Sequence, residues 1–318
     1  MFRFAILGAG KIAVKFVEAA RLAGCEVAAV ASRSEERARA FAEAHGIAHA
    51  YGSYEALLEN EDIDCAYIAT VPSSHFALSM LCMEYRVPVL CEKAMFRNLH
   101  EAEAAFARAR EQRTFMMEAL WSKFLPANRM ARHWLTEGRI GAPVFCDMQI
   151  GFRAPDDDTN RYFNPQLGGG AALDITVYAY EITAFMMGMR PEVTDVQAVR
   201  YRTGVDASEQ IAMRAGDCLC ALRTSFVAPV NEGLMILGEC GRIVVPHPHY
   251  ANEAFLYDAD GKQTEHFTDD TKNGFIYEIE EVVRCVGAGE TESRVQSHED
   301  TIECARLFDR IHAAVSEG

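Results

Sequence analysis

The sequence predicts a chain of two domains: an N-terminal α/β domain with a doubly wound parallel sheet, and a C-terminal α+β domain with a mainly antiparallel open sheet. Up to about residue 120, short apolar runs alternate with longer helical patterns. From about residue 140, strand-like runs follow one another with turn residues between them and little helix. The length of 318 residues also suits two domains. We therefore predict domains at residues 1–120 and 121–318.

The N-terminal part alternates strands with helices. Runs such as FRFAILG, CEVAAVA, DCAYIAT and VPVLCEK are typical of buried strands, and helical patterns such as GKIAVKFVEAARLAG lie between them. Strands that alternate with helices of this length form βαβ units, which build a parallel sheet covered on both faces. This is the architecture of a nucleotide-binding domain.

The C-terminal part consists mostly of short strands. Runs such as APVFCDMQIGF, DCLCALRTSF and EGLMILGECGRIVV indicate strands, whereas GGGAALDITVYAYEITAFMMG and two segments after residue 274 indicate helices. These helices are too few to cover both faces of one sheet. An exposed apolar sheet face usually becomes an interface, so we expect a homodimer through this sheet.

Composition limits the possible partners. Half of the residues are hydrophobic and the net charge is −15, which argues against nucleic acid and against anionic membrane surfaces. The chain has no run of about 18 apolar residues, and its start, MFRFAILGAG, lacks the features of a signal peptide. We expect a soluble, cytoplasmic protein with a small-molecule substrate.

Cysteine and histidine patterns do not indicate a metal. The ten cysteines are scattered without a CxxC pair, so we interpret them as buried thiols in a reducing compartment. Cys218 and Cys220 have strand spacing, which places both on one side of a strand. HPH at 247–249 has no adjoining carboxylate or cysteine cluster. No metal site is predicted.

A glycine motif follows the first predicted strand. Gly8, Ala9, Gly10, Lys11 and Ile12 begin a GxGxxA pattern between a strand and a helix. Its glycines permit a tight turn and the close approach of a pyrophosphate, and the helix N-terminus supplies backbone N–H groups. The motif alone is a weak signal, but its position at the start of a βαβ series predicts a Rossmann dinucleotide site.

The end of the second predicted strand distinguishes between nucleotides. An NAD site places an acidic residue there, whereas this chain has Ser32 and Arg33, with Arg37 one turn further on. Guanidinium groups bind phosphate through charge-assisted hydrogen bonds, which favours NADP. Glu35 and Glu36 lie nearby, and an ordinary surface arginine would give the same sequence pattern as a phosphate-binding one. NAD therefore stays possible.

Two further segments carry reactive side chains. Glu92 and Lys93 follow the predicted fifth strand, at the carboxyl end where ligands bind in such sheets. Asp174 and Tyr178 lie four residues apart in the apolar helix after three glycines, so they share one helix face. In isolation, Asp174 could instead cap a neighbouring element and Tyr178 could be a core phenol.

Taken in order, these motifs resemble the glucose-fructose oxidoreductase and inositol dehydrogenase (Gfo/Idh/MocA) family. The resemblance extends over nearly the whole chain through GAGKIA, YIATVPSSH, CEKAM, MEALWSKFLP and LGGGAALDITVY. It is strongest to the dihydrodiol and xylose dehydrogenase branch. It implies a Rossmann domain, an open-sheet domain often used for oligomerisation, and pyridine-nucleotide chemistry on a sugar, polyol or related carbonyl.

The resemblance also implies roles for individual residues. Most of the family carries Asp-x-x-x-His on this helix, and Tyr178 replaces the histidine as in the dihydrodiol dehydrogenase branch. Lys93, Asp174 and Tyr178 would then be catalytic and face the nicotinamide. Cofactor-binding positions would further include Thr70, Pro72, His75 and Glu92. Trp121 and Phe124 would contact substrate, although packing at the domain junction explains them nearly as well. Apart from the resemblance, Phe152 and Arg161 could bind substrate from the loop before the glycines, or could equally make ordered loop contacts.

Two positions depart from the family pattern. Ala94 replaces the usual proline after Lys93, and Val71-Pro72 replaces a common Pro-Asn. The Lys-Pro bond of the family is often cis, but a cis bond before a residue other than proline costs about 2.5 to 4 kcal/mol. We therefore expect a trans bond between Lys93 and Ala94.

The sequence thus predicts an NADP-dependent oxidoreductase that acts on CH–OH groups. The substrate carbon would pass a hydride to the nicotinamide while Tyr178 takes the hydroxyl proton. A lysine ammonium near the phenol would lower its pKa from about 10, which makes it a better base. The alternatives are a regulatory protein that binds NADP without turnover, and a protein that shuttles hydride on a tightly held nucleotide.

The choice of nucleotide can be tested at Arg33. A charge-assisted contact to the 2′-phosphate contributes about 1.5 to 3 kcal/mol. Arg33→Ala should therefore weaken NADP binding about tenfold or more and leave NAD binding nearly unchanged. Titration of both nucleotides measures this, and equal losses for the two would refute the assignment.

Overall fold

The computed structural model describes residues 1–317. Spatial contacts divide the chain into two compact units. Unit 1 comprises Met1–Trp121 with Asn273–Ile302, and unit 2 comprises Ser122–Lys272 with the residues from Glu303 onward. The domain boundary drawn from the sequence at residue 120 stays a prediction.

Unit 1 is built on a six-stranded parallel sheet in the order β3-β2-β1-β4-β5-β6. The strands are β1 (Arg3–Leu7), β2 (Glu26–Ala31), β3 (His49–Tyr51), β4 (Cys65–Ile68), β5 (Val89–Glu92) and β6 (Met116–Ala119). The order reverses after β1, as in doubly wound sheets, so the prediction of a Rossmann fold is confirmed.

Helices alternate with these strands along the chain. They are α1 (Lys11–Leu22), α2 (Glu35–His45), α3 (Tyr54–Asn60), α4 (Pro72–Glu84) and α5 (Leu99–Gln112), joined by the later helix α8 (Phe275–Gly287). Helix α9 (His298–Glu317) begins in unit 1 and ends in unit 2. Phe16 of α1 stacks on Tyr67 of β4, with 3.7 Å between the ring centroids. All residues of β4 and β5 are buried, which explains their continuous apolar runs.

Unit 2 is built on an eight-stranded sheet in the order β14-β13-β12-β11-β7-β10-β9-β8. The strands are β7 (Pro143–Gly151), β8 (Glu192–Arg200), β9 (Asp206–Ala215), β10 (Cys218–Ser225), β11 (Gly233–Gly238), β12 (Gly241–Pro246), β13 (Glu253–Asp258) and β14 (Gln263–Thr268). Only β7 and β10 pair in parallel, so the mainly antiparallel sheet predicted from the sequence is confirmed.

Two helices pack on this sheet. Helix α6 (Pro126–Thr136) lies against β12 and β13, and helix α7 (Val177–Met187) lies against β7 and β10. Residues 177–186 of α7 are all buried, as expected of a helix that is apolar on every side. None of the helices in the described part of the chain combines the length and apolar character needed to cross a bilayer.

Candidate active site

The glycine motif forms a tight turn between β1 and α1. Gly8 has a φ of +116°, and a Cβ there would lie 2.8 Å from the carbonyl oxygen of Ala69, just after β4. Gly10 is the N-cap of α1 and has no side chain that could accept hydrogen bonds from the first N–H groups of the helix. Lys11 and Ile12 open the helix. These features fit a pyrophosphate, which needs backbone access and free helix N–H groups.

Two arginines gather at the end of β2. Ser32 is buried, Arg33 and Arg37 are exposed, and an Arg37 Nη2 lies 3.5 Å from the Ala9 carbonyl oxygen. Burial raises the pKa of the Tyr54 phenol, and the charges of Arg33 and Arg37 act against this rise. Both guanidinium groups therefore lie near Tyr54. Tyr54 thus joins Arg33 and Arg37 in one group of side chains, although its distance along the sequence gave no indication of this.

His75 connects two loops at the carboxyl ends of the strands. Its ring is fully buried, with Nδ1 2.9 Å from the Ala94 carbonyl oxygen and Nε2 3.2 Å from that of Thr70. Burial lowers the pKa of His75, which favours the neutral ring with one N–H donor. His75 thus holds the loop after β4 against the loop after β5. Pro72 occupies the first turn of α4, where its missing N–H has no cost.

The backbone around Lys93 is held by a buried carboxyl group. Glu92 accepts hydrogen bonds from the Tyr67 hydroxyl at 2.5 Å and from the Lys93 backbone N–H at 3.3 Å. Burial raises the pKa of Glu92. Lys93 itself is partly buried. Glu92 therefore fixes the backbone that presents Lys93.

The peptide bond between Lys93 and Ala94 is cis, so the predicted trans bond is wrong. The expectation used the preference of an isolated peptide bond. In the folded chain, His75 contacts the Ala94 carbonyl oxygen, and the Met95 N–H donates to Glu118 at 2.9 Å. These tertiary contacts were not visible in the local sequence.

Each of two glycines before α7 allows a close contact within unit 2. A Cβ on Gly169 would lie 2.8 Å from the Asn164 nitrogen and 2.9 Å from the Tyr162 carbonyl oxygen. Gly170 has a φ of +121°, and a Cβ there would lie 2.5 Å from Oδ1 of Asp206. Gly169 and Gly170 therefore leave room for the Tyr162–Asn164 part of this loop and for Asp206.

Asp174 lies in a π-helical segment, Ala172–Thr176, that runs directly into α7. Such wide turns occur frequently at functional sites. Both carboxylate oxygens of Asp174 lie 3.3 Å from guanidinium nitrogens of Arg161. The Arg161 guanidinium also lies over the Tyr162 ring, 4.2 Å from its centroid. Burial acts to lower the pKa of Arg161, but Asp174 and Tyr162 together outweigh burial and raise this pKa. Arg161 thus orients Asp174.

Tyr178 lies in the first turn of α7 and is 8% exposed. Its ring is 5.5 Å from that of His249, in the HPH segment. Nδ1 of His249 pairs with Glu232. One turn further along α7, Glu181 pairs with Lys123 at 2.6 Å, and both side chains are almost fully buried. The charge of Lys123 is thus balanced by Glu181.

The predicted substrate contacts occupy different places. Trp121 packs edge-on against Phe275 in unit 1, at 5.1 Å, whereas Phe124 is fully buried in unit 2. Phe152 packs on Tyr162, the residue beneath Arg161, with 5.3 Å between centroids. Phe152, Arg161 and Asp174 therefore form one neighbourhood. Trp121 and Phe124 lie in different units, and their substrate roles stay predictions.

Nine of the ten cysteines are buried and all ten are free. Cys240 is exposed, so its predicted burial is wrong. It lies in the tight turn between β11 and β12, where the chain reverses at the surface and cannot bury a side chain. Cys218 and Cys220 are both buried on one side of β10, as predicted. Within residues 1–317, no cluster of three or more His, Cys, Asp or Glu could hold a metal ion.

Fold and local geometry define a dinucleotide-binding oxidoreductase with a second, open-sheet unit. The model of an oxidoreductase family with an NAD-binding Rossmann fold matches residues 2–119, and that of the GFO/IDH/MocA C-terminal domain matches residues 128–244. Trans-1,2-dihydrobenzene-1,2-diol dehydrogenase of Danio rerio is 33% identical over 326 residues, covering 98% of this chain and 96% of the relative. The chain belongs to the Gfo/Idh/MocA family, which confirms the resemblance inferred from its motifs.

Other similar proteins agree with this assignment. The human trans-1,2-dihydrobenzene-1,2-diol dehydrogenase is 29% identical and covers 91% of this chain and 89% of its own. A 3-ketoreductase from Actinomadura kijaniata, solved with NADP and TDP-benzene, has a TM-score of 0.87 at 24% identity, with coverages of 98% and 97%. Levoglucosan dehydrogenase, solved with NADH and levoglucosan, has a TM-score of 0.88 at 17% identity, with coverages of 99% and 97%. The two structures share the fold.

The close contact at Gly170 predicts a strong effect of adding one carbon. Gly170→Ala would impose backbone strain of about 1 to 3 kcal/mol and steric overlap with Asp206 of about 1 to 3 kcal/mol. The matched control is Gly138→Ala, at a φ of +71° with no atom within 4 Å of the new Cβ. Only a backbone cost of about 1 to 2 kcal/mol applies there. Chemical denaturation compares the two variants, and equal losses would contradict the proposed overlap.

Proposed function

We propose that this protein is an NADP-dependent dehydrogenase or reductase that acts on the CH–OH group of a sugar, polyol or dihydrodiol. The observation that carries the proposal is the placement of Asp174 and Tyr178 in one continuous π-to-α helix. Arg161 holds the carboxylate of that helix on two nitrogens. The names of the dihydrodiol dehydrogenase relatives support the substrate class.

The residues of unit 1 fit an NADP molecule. The turn at Gly8 and Gly10 would hold the pyrophosphate against the N-terminus of α1. Arg33 and Arg37, both near Tyr54, would bind the 2′-phosphate. When bound, NADP supplies the nicotinamide carbon that accepts or donates the hydride. An acidic residue in place of Arg33 would instead favour NAD.

The chain would supply the proton transfer. In the oxidation direction, the Tyr178 oxygen accepts the substrate hydroxyl proton while Asp174, fixed by Arg161, orients that hydroxyl. A lysine ammonium close to a phenol favours the phenolate, and this is the role we assign to Lys93. In carbonyl reduction the same phenol returns the proton. A protein that only senses NADP would not need a tyrosine and a lysine with these roles.

Removal of one oxygen tests this mechanism. Tyr178→Phe should lower kcat by about 10² or more, because the general base is lost, and should change NADP affinity by only a few-fold. Tyr180→Phe makes the same chemical change two residues further along α7 and should keep kcat within a few-fold. Activity is followed at the absorbance band of the reduced nicotinamide, with a screen of pentoses, hexoses, inositols, dihydrodiols and α-dicarbonyls.

Lys93 provides a second arm of the same test. Lys93→Met should lower kcat similarly and move the basic limb of the pH profile upward in the remaining activity, because the phenol loses its neighbouring cation. The losses of Lys93→Met and Tyr178→Phe should not add in the double variant. Tyr178→Phe with the parental rate would refute the assignment, and bound NADP without turnover of any substrate would favour a sensor.

We also propose a homodimer through the open face of the unit 2 sheet. Phe145 of β7 and Leu219 of β10 are register partners and are 45% and 46% exposed. Met235 of β11 pairs opposite Asp147 on the same face and is 36% exposed. Apolar side chains that are adjacent and accessible on a sheet face are typical of an interface.

The interface can be broken by one charge. Phe145→Glu should weaken dimerisation at least tenfold, because an unpaired carboxylate would be buried. Leu22→Glu, at a leucine of α1 that is 61% exposed, is the matched control and should leave the assembly unchanged. Light scattering reads out the mass. A parent protein of 35.3 kDa at micromolar concentration would show that it is a monomer and rule out the proposal.

A further inference from the structure

Two buried carboxyl groups hold the ends of the π-helical segment. At its first residue, the Ala172 N–H donates to Oδ2 of Asp206 at 2.6 Å. At its last residue, the Thr176 hydroxyl donates to Oε2 of Glu209 at 2.8 Å. Asp206 and Glu209 lie on β9 and are 1% and 4% exposed. The segment that carries Asp174 is therefore attached at both ends to one strand.

The remaining oxygen of each carboxyl group lacks a donor from elsewhere. Oδ1 of Asp206 and Oε1 of Glu209 are buried, and no N–H or O–H of the described residues donates to either. Asp206 raises the pKa of Glu209 through its charge and through a side-chain contact, so the two carboxyl groups adjoin each other. Two adjoining carboxyl groups can share one proton, and a proton between Oδ1 of Asp206 and Oε1 of Glu209 would satisfy both oxygens.

The surroundings of Glu209 favour its protonated form. Burial, and then the charge of Asp206, raise the pKa of Glu209 well above its ordinary value. The partners of its Oε2 are the hydroxyls of Thr176 and Thr224, which carry no charge. The nearby charges on β7 and β10, Asp147 and Arg223, occupy alternate positions that face the other side of the sheet.

The loop before the segment also carries Arg153 and Asp157, and Asp156 and Asp158, which pair with Arg202; the charges nearest the segment are those of Asp174 and Arg161. These two groups pair with each other at 3.3 Å. The contact at Gly170 brings the loop against Asp206 and leaves no room for a side chain there. The segment and β10 contribute an amide and hydroxyls to the pair and the loop contributes a glycine, whereas β8 places the exposed Arg200 opposite Asp206 in the strand register.

We propose that Asp206 and Glu209 form a proton-sharing acid pair that positions Asp174 and Tyr178, and that loss of the shared proton at alkaline pH releases the π-helical segment. The inference rests on the proposed function, because it concerns how the two proposed catalytic groups are held. Glu209 and Asp206 are positioning residues. They act through the backbone of Ala172 and the hydroxyl of Thr176.

The pair makes stability depend on pH in a defined direction. In the unfolded chain Glu209 loses its proton near the ordinary value of 4.5, whereas in the folded chain it keeps the proton to higher pH. The stabilisation is fully present below the ordinary value and is lost as pH rises towards the raised folded value. Within this window one retained proton changes the unfolding equilibrium constant about tenfold per pH unit.

Glu209→Gln tests the proposal, because glutamine can donate to Asp206 and accept from the threonine hydroxyls but cannot titrate. Unfolding is measured by denaturant titration across pH for the wild type and the variant. Between the ordinary pKa of Glu209 and its raised value in the folded chain, the unfolding constant of the wild type should rise about tenfold per pH unit more steeply than that of the variant. Other buried acids, such as Glu92 and Glu278, cancel in this comparison.

The functional measurement is kcat with saturating NADP and substrate across the same pH range. The ratio of variant to wild-type kcat, normalised at neutral pH, should rise at least threefold towards alkaline pH. Asp217→Asn removes an exposed carboxylate at the opposite end of the β9–β10 hairpin and should show neither change. If Glu209→Gln does not fold, the same measurements are made on Glu209→Met, which cannot titrate either.

The outcomes of these measurements distinguish the shared proton, the positioning role and the proposed function from one another. Equal pH slopes of the unfolding constant would overturn the shared proton. A changed stability slope with an unchanged kcat ratio would overturn the positioning role, because the pair would then be structural only. If the proposed function fails instead, Tyr178→Phe turns over at the parental rate while the stability difference of Glu209→Gln persists.

Discussion

Close approach between backbone segments is the constraint on which both candidate sites depend. In unit 1, the turn at Gly8 passes so near Ala69 that any side chain would meet its carbonyl oxygen. In unit 2, Gly169 and Gly170 let the loop fold back on itself and on Asp206. A Cβ at any of these positions would separate the elements that carry the functional groups. Glycine is therefore needed here for space as well as for backbone conformation.

Buried acids form a second shared feature of the two units. Glu92 and Glu278 in unit 1 and Glu209 in unit 2 all have pKa values raised by burial. Burial of a carboxyl group is costly unless it is neutral or paired, and such groups concentrate at functional sites. Glu92 adjoins Lys93, and Glu209 holds the segment of Asp174. The chain thus places buried acids with raised pKa values behind the groups that are proposed to handle protons.

Specific partners from other elements allow an apolar helix to contain polar side chains. Helix α7 and most of the π-helical segment before it are buried, so their polar groups need partners supplied by other elements. Arg161 supplies one for Asp174, and Lys123 supplies one for Glu181. Thr176 finds its partner in Glu209. The orientation of the helix is consequently set by a few specific contacts in addition to apolar packing.

The sequence by itself determined the features that depend on local pattern. The alternation of strands and helices, the glycine turn at Gly8 and the spacing of Asp174 and Tyr178 follow from residue order, because their periodicities act over a few residues. The family could be assigned from the same motifs. Only the tertiary structure decided the partners: Arg161 for Asp174, Tyr54 beside Arg33, the cis bond after Lys93, and Glu209 beside Asp206 and Thr176. These contacts join residues that are distant along the chain or fixed by distant neighbours, and strand register and loop packing, which no short-range pattern encodes, bring them together.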